Sequence, residues 1–247
     1  MKKIATILAA LAGLTGLSAF AQQSASTFAV TTDFTYTSQY VFRGLQRIKG
    51  DAFTPSVEAT LGNARRSGYL GLWTMQPITK NQDNEIDIYA GYKQSLTRVL
   101  SVEAVGTCYW YPEASGGATK NSYELGAKLT YAARGITASA CAYYDFRLRS
   151  TTGVGLVGYS FPIPKLGTSI DVGFQVGAAG FRNMFPDAGG PKVRDSYVYY
   201  GFDFNVPWHI SERAIVTAGL HYSNNHNTPI GTPDNKLWFS LGLATRF

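Results

Sequence analysis

The sequence is poor in the residues from which most chemical sites are built. Its 247 residues include two cysteines, three methionines and three histidines. Cys108 and Cys141 fall on what the pattern reads as non-neighbouring strands and on opposite faces. A disulfide needs Cα atoms roughly 4.4–6.8 Å apart, so free thiols are expected. His209, His221 and His226 are read in a turn, on a strand and in a loop. None has the close His, Cys or carboxylate spacing that argues for a metal. Gly153-Val154-Gly155 and Gly189-Gly190 precede neither a helix nor a GKS/T motif, so no phosphate loop is present. No cofactor is expected. Charged residues make up only 15% of the chain. The basic ones are scattered, which argues against a nucleic-acid partner despite a pI near 9.2. Past residue 21 there is no apolar run of the roughly 20 residues that a membrane-spanning helix needs.

The first residues have a different character. Lys2 and Lys3 give a positive start, residues 4–17 are apolar but too short to span a bilayer stably, and Ala19-Phe20-Ala21 offers a small-x-small cleavage signature. Residues 1–21 are therefore expected to be a cleaved secretory signal peptide, with a mature domain over 22–247 starting at Gln22. No cysteine lies near the cut, so no lipoprotein signal is expected. The formal charge of +6 becomes +4 without Lys2 and Lys3. An exported protein of a double-membraned bacterium follows.

What the chain does have is aromatics and alternation. Tyr numbers 16, Phe 14 and Gly 26, yet mean hydropathy is only −0.08. Strands with one face in lipid and one in water average to such a value. The chain ends on a strand whose Leu237, Phe239, Leu241, Leu243 and Phe247 share one face, while Ser240, Gly242, Ala244 and Arg246 share the other. A closing strand that stops on an aromatic has the look of an outer-membrane β-barrel. Tyr123, Leu125, Ala127, Leu129 and Tyr131 oppose Glu124, Gly126, Lys128 and Thr130. With a tilted strand rising roughly 3.3 Å per residue, Tyr123 and Tyr131 stand about 20 Å apart, near the height of the apolar band of such barrels. Ile170 to Ala178 alternates in the same way.

Such segments recur near 28–37, 53–62, 67–76, 84–94, 98–111, 121–132, 135–147, 151–161, 167–179, 194–206, 212–224 and 235–247. The fold class is all-β: a transmembrane antiparallel up-and-down β-barrel of about twelve strands, both termini periplasmic. Links at 38–52, 77–83, 112–120, 180–193 and 225–234 are long or polar, whereas those at 63–67, 95–97, 133–134 and 162–166 are short. Long outside and short inside is the asymmetry expected. The short link at 147–150 and the longer turn at 207–212 break it, leaving the count open by about two strands. Closure follows from the backbone, because an unpaired amide in hydrocarbon costs several kcal/mol.

A barrel of this size encloses an interior between a filled core and an open channel. The predicted inward or mouth set is Asp33, Arg43, Glu58, Glu85, Asp87, Lys93, Glu103, Glu124, Lys128, Asp145, Asp171 and Asp203. Two readings stand: a narrow water-filled passage, or a plugged interior whose charges pair. Outer loops carry Arg43, Arg47, Lys49, Lys80, Lys120, Arg147, Arg149, Arg182, Lys192 and Arg194. These fit an anion funnel or, preferably, contact with lipopolysaccharide phosphates. Interior and rim oppose each other in sign, so no ion preference is assigned. His221-Tyr222-Ser223-Asn224 resembles the His-x-Ser-Asn stretch of outer-membrane lipid A 3-O-deacylases. Against that reading, only Asp234 is available as an acidic partner and alternation turns His221 inward, away from lipid. The protein is not expected to be an enzyme.

Tyr36-Thr37-Ser38-Gln39-Tyr40-Val41-Phe42-Arg43-Gly44 resembles the opening signature of the TorF family of porins. Gly68-Tyr69-Leu70-Gly71-Leu72-Trp73, Glu85-Ile86-Asp87-Ile88-Tyr89-Ala90-Gly91-Tyr92, Tyr109-Trp110-Tyr111-Pro112 and Ser122-Tyr123-Glu124-Leu125 are similar to later blocks of that family, in the same order. The resemblance implies an outer-membrane location and passive transport of small polar solutes, with no solute named. Arg43 is singled out, either lining the mouth or holding the first loop by an ion pair with Asp33, Glu58 or Glu85. The other reading from a different class is a non-conducting structural or adhesion barrel. Outer-membrane lipid and lipopolysaccharide are the expected surroundings, and assembly of several copies is left open.

Overall fold

Residues 27–79, 82–114, 119–183, 187, 194–227 and 233–247 are described by the structure, a computed structural model. The leader 1–21, Lys80, Lys192 and Gly189-Gly190 lie outside the described residues.

Alternating residues make strands because side chains on a pleated chain point to opposite faces in turn. The strands, in order, are β1 (Thr27–Thr37), β2 (Tyr40–Phe42), β3 (Leu45–Ile48), β4 (Ala52–Gly62), β5 (Arg66–Pro77), β6 (Glu85–Ser95), β7 (Leu100–Trp110), β8 (Asn121–Ala133), β9 (Ile136–Asp145), β10 (Ser150–Ile163), β11 (Thr168–Phe181), β12 (Asp195–Ser211), β13 (Ala214–His226) and β14 (Asn235–Arg246). Twelve of them form a closed antiparallel barrel in chain order, β1 pairing β4 on one side and β14 on the other. At the seam Phe34 faces Leu243 and Tyr36 faces Leu241, while Asp33 faces Ala244 and Thr35 faces Gly242. Apolar and polar rows thus match across the closure, and a one-residue slip would exchange them. Both ends of the described chain meet at one rim, where Val30 and Phe247 exchange backbone hydrogen bonds of 3.1 and 2.8 Å.

The outer face is apolar and bounded by aromatics. Leu70, Leu125, Val157, Val176 and Leu241 are exposed in its middle. Phe53, Trp110, Tyr123, Tyr144 and Tyr200 stand exposed toward the loop end, and Phe28, Tyr92, Tyr131, Tyr159 and Trp208 toward the termini end. An exposed apolar belt with aromatics at both edges is a surface built for lipid.

Strand positions agree with the alternation to within a few residues. Two links differ from expectation. The turn expected over 207–212 is tighter, because β12 runs on to Ser211 and only Glu212 and Arg213 connect it to β13. Pro207 is tolerated inside a strand because β12 leaves the β11 ladder there: register is kept from Phe181↔Asp195 to Asp171↔Asn205 and resumes at Thr168↔Trp208. The short link after β9 is a real four-residue turn, in which the Asp145 carboxylate accepts from the amides of Arg147 (2.9 Å) and Leu148 (2.7 Å). Cys108 and Cys141 are free and lie on β7 and β9, with β8 between them.

Candidate functional site: a hairpin inside the barrel

The first long link is not a surface loop. Val41, Leu45 and Ile48 are apolar and have no place in water, and the Arg43-Gly44 pair between two short runs is a turn signature. Strands β2 and β3 form a two-stranded hairpin separate from the barrel sheet. It folds into the lumen. Tyr40 and Ile48 pack in one cluster with Ala52, Trp73, Met75 and Tyr89, while Leu45 packs in another with Ala179, Tyr197 and Tyr199. The hairpin therefore touches the wall at β5–β6 and again at β11–β12, bridging the interior.

Its tip is fastened by polar contacts. The Arg43 guanidinium donates to both carboxylate oxygens of Glu124 on β8, at 2.6 and 2.7 Å. Such two-pronged pairs fix geometry as well as charge. Tyr109 donates a third hydrogen bond to Glu124, at 3.0 Å. The guanidinium carbon lies 4.3 Å from the ring centre of Tyr143 and 4.7 Å from that of Phe42. Burial by itself would favour a neutral guanidinium, but Glu124 outweighs it and holds Arg43 charged, above its ordinary range. From the opposite wall, Tyr197 donates to the Arg43 carbonyl at 3.0 Å and Asn225 to the Gly44 carbonyl at 2.8 Å. Arg43 and Gly44 both adopt left-handed backbone, with φ of 47° and 78°.

At Gly44 that freedom is essential. A Cβ there would stand 2.4 Å from Tyr199 Cβ. Gly44→Ala is expected to unseat the tip, since left-handed backbone alone costs a non-glycine residue roughly 1–2 kcal/mol. Hydrogen exchange read by mass spectrometry should show faster exchange over 40–48 and unchanged barrel strands; protection equal to that of the parent would contradict this.

The lumen wall is lined by tyrosines that lie flat. Tyr89 covers Gly71, Tyr69 covers Gly91, Tyr143 covers Gly126 and Tyr199 covers Gly177, each pair directly opposed in register. A Cβ on any of these glycines would meet the tyrosine ring at 2.2–2.4 Å. The missing side chains let the rings hug the wall rather than cross the interior.

Each expected site residue can now be placed. Asp33, Glu58, Glu85, Asp87, Lys93, Glu103, Glu124, Lys128, Asp145, Asp171 and Asp203 all fall on the inward rows of their strands. The wall supplies hydroxyl donors to most of the carboxylates. Thr35 donates to Asp33 (2.7 Å), Thr60 to Glu58 (2.9 Å), Tyr69 to Glu103 (2.5 Å), Ser122 to Asp145 (2.5 Å) and Ser160 to Asp171 (2.6 Å). Just beyond β7, Tyr111 donates to Glu85 at 2.9 Å, and burial together with Glu85 keeps its phenol well above the ordinary range.

Arg43 needs a correction. Its partner is Glu124, not Asp33, Glu58 or Glu85, and it belongs to the interior rather than to the basic rim. Arg47 does stay exposed, 5.6 Å from the ring centre of Tyr111. His221 faces inward as expected, but the hydroxyl beside it is Ser240 at 2.9 Å, with Asp203 at 2.6 Å on its other nitrogen and Trp238 stacked on its ring. Ser223 donates instead to the Tyr200 carbonyl at 3.2 Å. No cluster of three or more metal-ligating residues occurs among the described residues.

Among solved structures, the fold is similar to the NanC porin, with 13% identity, a TM-score of 0.54, and coverage of 87% of this chain and 98% of that one. It is similar to the KdgM porin, with 10% identity, a TM-score of 0.54, and coverage of 88% and 99%. It is also similar to the COG4313 outer membrane channel from Pseudomonas putida F1, with 11% identity, a TM-score of 0.55, and coverage of 92% and 97%. The barrel fold is thus that of bacterial outer-membrane proteins. Among curated proteins, none matches the sequence. A family model described as a bacterial protein of unknown function matches residues 21–149, a little over half of the chain, and the protein therefore belongs to that family, Gcw_chp.

Proposed function

We propose that the protein is an outer-membrane channel for passive diffusion of small polar solutes, narrowed by its own first loop. The observation that carries this reading is the Arg43 hairpin, seated across a polar, tyrosine-lined interior. Termini in the periplasm, removal of residues 1–21, membership of the TorF porins and contact of Lys120, Arg147, Arg149, Arg182 and Arg194 with lipopolysaccharide belong to the same reading.

Planar-bilayer recording tests it. The parent protein should give small, discrete current steps. A form with residues 39–50 replaced by a short Gly-Ser linker should give steps several times larger. Folded protein that passes no current in either form would defeat the channel reading in favour of a structural barrel.

A further inference from the structure

Among the described residues, carboxylates outnumber basic side chains on the inward rows. Arg43 is paired with Glu124. Arg47 lies within electrostatic reach of Glu85. Lys93 and Lys128 both stand opposite Glu103 in register. Lys236 donates to the Asp234 carbonyl at 3.1 Å, and Arg246 sits at the termini end. Asp33, Glu58, Asp145 and Asp171 are held by hydroxyls, and Asp203 by His221. Arg43–Glu124 is an ion pair joining a lumen carboxylate to an arginine.

A second, independent observation concerns hydrogen bonds. Buried polar atoms in folded proteins find partners, and exceptions mark a place for water, an ion or a ligand. Among the described residues, Asp87 Oδ1, Gln175 Oε1, Asp203 Oδ2 and the Tyr199 hydroxyl are buried with no hydrogen-bond partner. Asp87 is only 4% exposed. Three of these four atoms only accept, and all belong to inward rows. The interior therefore has carboxylates in excess of basic groups and acceptors left without donors, and a guest that brings positive charge and N–H groups complements it.

We infer that the channel admits small cations carrying N–H donors, organic ammonium ions in particular, in preference to anions. The inference rests on the channel reading and names its solute class. Asp33, Glu58 and Asp203 are the specificity-determining residues: they face the lumen from β1, β4 and β12, and Thr35, Thr60 and His221 are their hydrogen-bond partners.

The test is ion selectivity in planar bilayers under a tenfold KCl gradient. The parent should favour K⁺ over Cl⁻ by roughly tenfold, the lower end of what a like-charged cleft does to local ion concentration. Added 1,4-diaminobutane should block the K⁺ current, and 1,4-butanediol should not. Asp33→Asn, Glu58→Gln and Asp203→Asn together should bring the K⁺/Cl⁻ ratio toward unity and weaken the diamine block about tenfold. Current that favours Cl⁻, or selectivity unmoved by the three amides, overturns the inference while leaving the channel reading intact. If the parent passes no current, the 39–50 replacement serves as the background in which the three amides are compared. Silence in both backgrounds overturns the channel reading itself, and this inference with it.

Discussion

Arg43→Ala is expected to free the hairpin and raise single-channel conductance severalfold, with noisier open levels. Arg43 and Glu124 side chains are 11% and 5% exposed, so removing one leaves the other's charge buried. Breaking such a pair costs roughly 3–5 kcal/mol. The loss falls on the contact that ties the hairpin tip to β8, since Tyr109 donates to Glu124 and not to the hairpin. What remains at the tip are the Tyr197 and Asn225 hydrogen bonds, worth about 1 kcal/mol each. Arg43→Lys keeps the charge but loses the fork and the guanidinium's contact with the Tyr143 ring, so it should fall between parent and alanine. Removing both partners, Arg43→Ala with Glu124→Ala, should destabilise less than the sum of the two single changes, because no orphan charge is left. Conductance of Arg43→Ala equal to that of the parent would show that the hairpin does not set the passage.

Val176→Arg is expected to destabilise the barrel in lipid by about 2–4 kcal/mol, the cost of a cation near the bilayer midplane on a barrel's outer face. Val176 is 50% exposed near the middle of β11. Thr151→Arg, outward on β10 near the loop end, should cost about 0–1 kcal/mol, since the penalty falls toward the interface. Urea unfolding from lipid vesicles measures both. Equal costs at the two depths would contradict a lipid-facing belt.

The barrel was legible in the sequence because period-two alternation is a local property and survives unchanged in the fold. Tyr123 to Tyr131 and Leu237 to Leu243 declare their faces without reference to any partner. Which charges face inward was readable for the same reason. What alternation cannot supply is distance across the interior. Glu124 shares its inward face with Glu58 and Glu85, and no local pattern reveals which of them lies opposite a loop residue 81 positions away. The hairpin itself left a trace in the apolar Val41, Leu45 and Ile48 flanking Arg43-Gly44, within a link otherwise taken as polar. Pro207 misled in the other direction. It reads as a turn residue, yet it sits where one ladder is interrupted, a tertiary circumstance.

The contacts that seat the hairpin have an implication for the order of assembly. The Arg43 and Gly44 contacts are made across separations of 81, 154 and 181 residues. Such remote pairings must await the loops between them. The segment that is second to emerge from the chain is thus among the last to find its place. Its docking certifies that β8, β12 and β13 have already taken their stations, so an unclosed intermediate would carry a loose flap and only the finished cylinder a latched one.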